Sequence, residues 1–73
     1  MKLPALNDVN SSNIAKVAHQ GDSLFVRFKG GNGVYEYKGV PASVHADMLK
    51  SESIGKHFGM HVKGKYPHVL HAL

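Results

Sequence analysis

The side chains in this sequence with the most chemical potential are its histidines. His57 and His61 stand four residues apart, and His68 and His71 three apart. On helical segments both spacings would place the rings on one face, and four imidazoles so arranged could hold zinc or nickel. The surroundings argue against it. The segment has no cysteine, its nearest carboxylate is Glu52, and Gly59, Gly64 and Pro67 interrupt any rigid scaffold. Structural zinc sites usually have thiolates and a supporting shell of hydrogen bonds. The histidines therefore read as surface or half-buried side chains, and neither a metal nor any other cofactor is expected.

Catalytic groups fare no better. Ser11, Ser12, His19 and Asp22 lie near one another in sequence, but the five acidic residues are scattered singly and no nucleophile motif surrounds a serine. Catalysis also needs a water-excluding cleft with a supporting shell, for which a short chain has few residues, so the sequence is not expected to be an enzyme. Ser11 and Ser12 suit local hydrogen bonds to backbone instead. The run Gly30-Gly31-Asn32-Gly33 resembles a phosphate loop only superficially, because a phosphate cradle opens a helix and strand-like residues follow here.

Positive charge interleaved with aromatic rings is more informative. Arg27 sits beside Phe25, Tyr35 and Tyr37 follow on the next strand-like segment, and Lys63 and Lys65 flank Tyr66. Such groups could neutralise phosphates while rings stack on bases. They could equally grip an acidic protein surface, with tyrosines as amphipathic anchors. A plainer alternative has Tyr35 and Tyr37 as ordinary half-buried strand residues. The candidate partner-binding set is Arg27, Tyr35, Tyr37, His57, Lys63, Lys65 and Tyr66.

The elements that must position these groups follow from periodicity. Residues 1–10 lack a clear period and read as a flexible or irregular arm. Asn13 to His19 can be an imperfect strand closed by Gln20-Gly21-Asp22. Leu24, Val26 and Phe28 alternate with Phe25, Arg27 and Lys29, the signature of a half-buried strand. Val34 to Lys38 completes a hairpin, with Tyr35 and Tyr37 on one face. Pro41 starts a helix through Ala42 to Glu52, with Val44, Met48 and Leu49 as its apolar stripe. Ser53 can cap a second short helix that turns Ile54, Phe58 and His57 inward. Val69, Leu70 and Leu73 in the tail could dock as one more helical turn. The sum is an α+β fold: a small antiparallel three-stranded sheet packed by one or two short helices.

Length and composition limit the remaining possibilities. At 73 residues the chain holds one domain, and one this small buries only about 60% of the surface its unfolded chain exposes. No cysteine is available to staple it, a composition compatible with a reducing cytoplasm. Its apolar runs are far shorter than the roughly 20 residues that span a bilayer, and Met1-Lys2-Leu3-Pro4 lacks a secretory core, so a cytoplasmic protein without membrane contact is expected. Nine Lys and Arg against five Asp and Glu give +4, a balance that favours a polyanion or an acidic protein as partner.

In order along the chain, Ser11-Ser12 with Ile14, Leu24 to Phe28, Val34-Tyr35-Glu36-Tyr37 and Gly39-Val40-Pro41 resemble the KTSC domain family. The likeness continues through the helix to Leu49, Ser53 with Gly55 and Phe58, and Val62-Lys63-Gly64-Lys65-Tyr66-Pro67. It places a KTSC-like domain at 11–67, with 68–73 as a C-terminal extension. The resemblance implies a compact antiparallel sheet packed by one or two helices, and an RNA-binding role has been proposed for the family. Within it, the chain is similar to phage-type transcription regulators that bind a bacterial host's RNA polymerase. That likeness implies contact with the polymerase β′ N-terminus and β flap, displacement of the σ factor at initiation and antitermination during elongation; a monomer is expected. The alternative it leaves is a KTSC-type RNA-binding module without polymerase binding.

Overall fold

Alternating apolar residues build the centre of the molecule, as the side-chain period of a strand requires. In the computed structural model, which describes residues 3–72, the chain runs β1 (Asn7–Asp8), β2 (Ile14–Gln20), β3 (Ser23–Phe28), β4 (Gly33–Lys38), α1 (Ala42–Lys50), α2 (Ile54–His61) and β5 (His68–Ala72). The strands form one antiparallel sheet in the order β1-β2-β3-β4-β5. No helix among the described residues is long and apolar enough to cross a membrane.

The sheet has five strands, not the three expected. The strand β1 lies inside the supposedly irregular arm and is only two residues long, paired as Asn7↔Val17 and Asp8↔Lys16. Two polar residues carry no alternation for sequence reasoning to find. The tail is a strand rather than a helical turn, paired with β4 from Gly33↔Ala72 to Tyr37↔His68. The spacing of Val69 and Leu70 fits either state, and pairing with β4 decides it. Met1 and Lys2 of the arm and Leu73 of the tail lie outside the described residues.

Each sheet face has its own apolar cluster. On the helix side Ile14, Val17, Leu24, Val26 and Tyr37 pack with Val40, Met48, Phe58 and Val62. The β2–β3 register shifts between Ile14 and Lys16, and this extra residue lets Ile14 and Val17, three apart, face the same core. On the opposite side Leu3 and Leu6 of the arm cover Ala18, Phe25 and Val34. The turn joining β2 to β3 has Gly21 at φ +62°, the positive angle that a two-residue hairpin loop demands.

Helix α1 starts after Pro41 and buries Met48, while Val44 packs half-buried on the core. Leu49, expected in the same stripe, is 45% exposed. Ser53 caps α2, its Oγ accepting from the Lys56 N–H at 3.3 Å, and Phe58 is buried as expected. Gly55 earns its place by contact: a Cβ there would run into Asn13 Oδ1 and lie 3.1 Å from Ser11 Oγ. Ser11 Oγ in turn donates to Asn13 Oδ1 at 3.1 Å and accepts from the Ile14 N–H at 3.3 Å. The serine motif before β2 and the glycine of α2 are thus two sides of one joint.

Candidate functional site

Strand periodicity puts Tyr35 and Tyr37 on the helix side of β4, where their rings stack with centroids 6.5 Å apart. Phe58 from α2 meets Tyr37 edge-on at 5.2 Å, and Phe28 from β3 meets Tyr35 at 5.5 Å and Phe58 at 5.6 Å. His68 from β5 closes the array, 5.6 Å from Tyr35 and 5.2 Å from Tyr37. These edge-to-face and offset arrangements are the favoured ones for aromatic rings. Tyr37 is only 4% exposed, and burial, followed by the neighbouring Tyr35, pushes its hydroxyl pKa up. Tyr66 is half-buried against the same core.

Beside this array lies an open cleft of about 320 Å³, bounded by Phe28 and Tyr35 on one side and Leu70 and Ala72 on the other. Gly33 is buried at its edge. A Cβ at that position would stand 2.6 Å from the His71 carbonyl oxygen and 2.8 Å from Leu70 Cδ1, so β5 can lie this close only against glycine.

The other face carries Arg27, separated from the tyrosines by the sheet itself. It is half-buried opposite Lys16 on β2, over a groove shared with Leu3, Leu6 and Val34. Lys16 also pairs loosely with Asp8 at 3.5 Å. On this same face sequence reasoning missed a polar brace: Ser23 Oγ donates to Glu36 Oε2 at 2.7 Å, and His71 Nε2 donates to Glu36 Oε1 at 2.8 Å. Glu36 is 7% exposed. The hydrogen bonds from Ser23 and then His71 hold its carboxyl below the usual 4.5 against the opposing effect of burial. Only the face of Glu36 was legible, because an acid between two inward tyrosines must point the other way; its two partners come from other strands. Chemically, Glu36 separates the serine from the histidine, so the serine proton points at a carboxylate rather than at an imidazole base.

The remaining candidates are dispersed. His57 and His61 face each other on α2 with centroids 4.3 Å apart. His68 and His71 lie on opposite faces, since β5 is a strand, and contact Tyr37 and Glu36 respectively. No group of three or more His, Cys, Asp or Glu side chains converges among the described residues. His19, considered beside the serines, donates from Nε2 to the Val40 carbonyl at 2.7 Å and stacks on His45. Burial and the adjacent His19 depress the His45 pKa. Lys63 and Lys65 are exposed between α2 and β5. The structure therefore brings Tyr35, Tyr37 and Tyr66 around one core, sets Lys63 and Lys65 on the connection beyond it, and leaves Arg27 on the far face.

The KTSC domain model matches residues 10–66. The chain belongs to the KTSC family. Its fold superposes on the crystal structure of a KTSC domain protein from Yersinia pestis with a TM-score of 0.85 and 28% identity, over 93% of this chain and 97% of that one. No curated protein matches the sequence. In this KTSC domain the family match ends at Tyr66, whereas the sheet continues through β5.

Proposed function

We propose that this KTSC domain is a non-catalytic protein-binding module and, more specifically, a transcription regulator that binds bacterial RNA polymerase at the β′ N-terminus and β flap. It would displace σ at initiation and promote antitermination during elongation, in the manner of the small regulator of a lytic Xanthomonas bacteriophage that it resembles. One observation carries the choice of protein over RNA. Of the candidate stacking rings, Tyr35 and Tyr37 are engaged with one another and with Phe58 and His68, Tyr37 being 4% exposed, whereas the large aliphatic groups Val69 and Leu70 are 42% and 53% exposed. Exposed aliphatic surface suits a protein partner, and bases stack on free ring faces.

A ligand shifts an equilibrium only by its differential affinity for the two states. A small domain that binds core polymerase, and not polymerase carrying productively seated σ, therefore favours the σ-free state. Basic groups such as Lys63 and Lys65 add long-range steering more than affinity. The RNA-binding reading retains one favourable feature, the adjacent Lys16 and Arg27 on the far face. Incubation with purified core and holoenzyme, followed by size-exclusion analysis, tests the proposal. The chain is expected to co-elute with core and to release σ from holoenzyme, and failure to bind either form overturns it.

A further inference from the structure

The strand β5 ends the sheet, with β4 on one side and no strand on the other among the described residues. The phase of its hydrogen bonding follows from one contact: the Lys38 N–H donates to the Pro67 carbonyl at 2.9 Å. Paired residues in an antiparallel ladder alternate between bonded and non-bonded. With the register Glu36↔Val69 and Val34↔His71, Val69 and His71 bond inward to β4. His68, Leu70 and Ala72 therefore turn both N–H and C=O outward.

This edge lacks the devices that normally protect one. Edge strands are commonly kept short, bulged, or guarded by lysine or proline. The opposite edge is two exposed polar residues, Asn7 and Asp8. In contrast, β5 is five residues, His-Val-Leu-His-Ala, without lysine or proline. It is also held firmly, through the 2.8 Å contact of His71 with Glu36. Its side chains Leu70 and Val69 stay 53% and 42% exposed, so the strand is not covered. Along the chain itself, from Ser53 to Leu73, the sequence has three lysines and four histidines and no Asp or Glu, and the one carboxylate against β5, Glu36, is buried and engaged by Ser23 and His71.

We propose that the open edge of β5 accepts an extended, acidic segment of a partner protein as an added strand. In such strand addition, main-chain hydrogen bonds supply affinity, while pockets for alternate side chains supply specificity. The exposed Lys63 and Lys65, just before the strand, favour carboxylates on the incoming chain. A second copy of this chain is a poorer occupant because it would bring the same positive charge to the same place. The inference rests on the protein-binding reading above and specifies how the partner is held.

The test is amide exchange on the full isotope-labelled chain, titrated with a short synthetic peptide alternating aspartate with leucine, and separately with its lysine counterpart. The aspartate peptide is expected to slow exchange at His68, Leu70 and Ala72 by about tenfold or more, while Val69 and His71 are already protected in the free chain. Leu70→Pro removes an outward N–H without touching a bond to β4, and is expected to weaken peptide binding by about tenfold. Lys50→Ala on α1 should leave binding unchanged. Outward amides that stay unprotected at saturating peptide overturn the inference. So does protection by the lysine peptide alone, by a single-stranded oligonucleotide, or by raising the protein concentration without peptide, which marks a second copy as occupant. Core polymerase separates the two claims. Polymerase binding undiminished by Leu70→Pro, in a variant that keeps wild-type protection in β2–β4, removes the edge and leaves the polymerase reading. Peptide docking without polymerase binding does the reverse.

Discussion

Gly33→Ala and Gly59→Ala are the same chemical change with opposite expected signs. At Gly33 the added Cβ would stand 2.6 Å from the His71 backbone oxygen, where ordinary contacts begin at 3.4 Å. Leu70 Cδ1, also crowded at 2.8 Å, can rotate away, but the carbonyl belongs to β5 itself. The strand must therefore retreat by about 0.8 Å (3.4 minus 2.6). Overpacking of this kind costs about 1–3 kcal/mol. At about 4–8 °C per kcal/mol for a domain of this size, the melting temperature should fall by roughly 10 °C. At Gly59, inside α2, no atom lies within 4 Å of the new Cβ, and alanine should add about 0.5–1 kcal/mol through helix propensity. Thermal unfolding followed by circular dichroism, under one buffer for all variants, measures both. A Gly33→Ala protein that melts with or above the wild type would refute the close packing of β5 on β4, and movement of both variants in one direction would refute the contrast.

Three further outcomes probe other parts of the structure. Because Ser23 and His71 lower the Glu36 pKa below 4.5, the unfolded chain takes up that proton first as pH falls. The stabilisation is complete above about pH 4.5 and is lost as pH drops through the lowered folded value. Urea unfolding across that range should show the acid-side loss in the wild type and a smaller one in Glu36→Gln. Gly55→Ala should destabilise by about 1–3 kcal/mol through its collision with Asn13. Adding Asn13→Ala should recover part of that loss, and strict additivity in the double-mutant cycle would contradict the joint. Lys63→Ala with Lys65→Ala, both exposed, should shift stability by no more than about 0.5 kcal/mol, while weakening partner binding and flattening its salt dependence. A large loss of stability would make these lysines structural.

The central hairpin and both helices were legible because each has a local signal. Alternation marks Leu24 to Phe28, Gly30 to Gly33 marks the turn, and Ser53 marks the start of α2, where its side chain does cap the helix. The outer strands had no such signal. Asn7–Asp8 is two polar residues, and His68–Ala72 mixes exposed histidine with exposed aliphatics, so both acquire strand character from the neighbours they pair with. The candidate site was legible only in part for the same reason. The shared face of Tyr35 and Tyr37 follows from period two, but their packing against Phe58 and His68 depends on contacts across the chain. Arg27 was grouped with the tyrosines on composition, and strand parity places it on the other side of the sheet. The brace of Ser23, Glu36 and His71 joins three strands, and no sequence spacing announces it.

The most direct test of the protein-binding account sets its two candidate partners side by side. Fluorescence anisotropy of the labelled chain would be measured against core RNA polymerase and against single-stranded RNA at one near-physiological salt concentration. The account predicts saturable binding to polymerase that an excess of RNA does not displace. Binding to RNA that weakens steeply with added salt, together with no binding to polymerase, would contradict it.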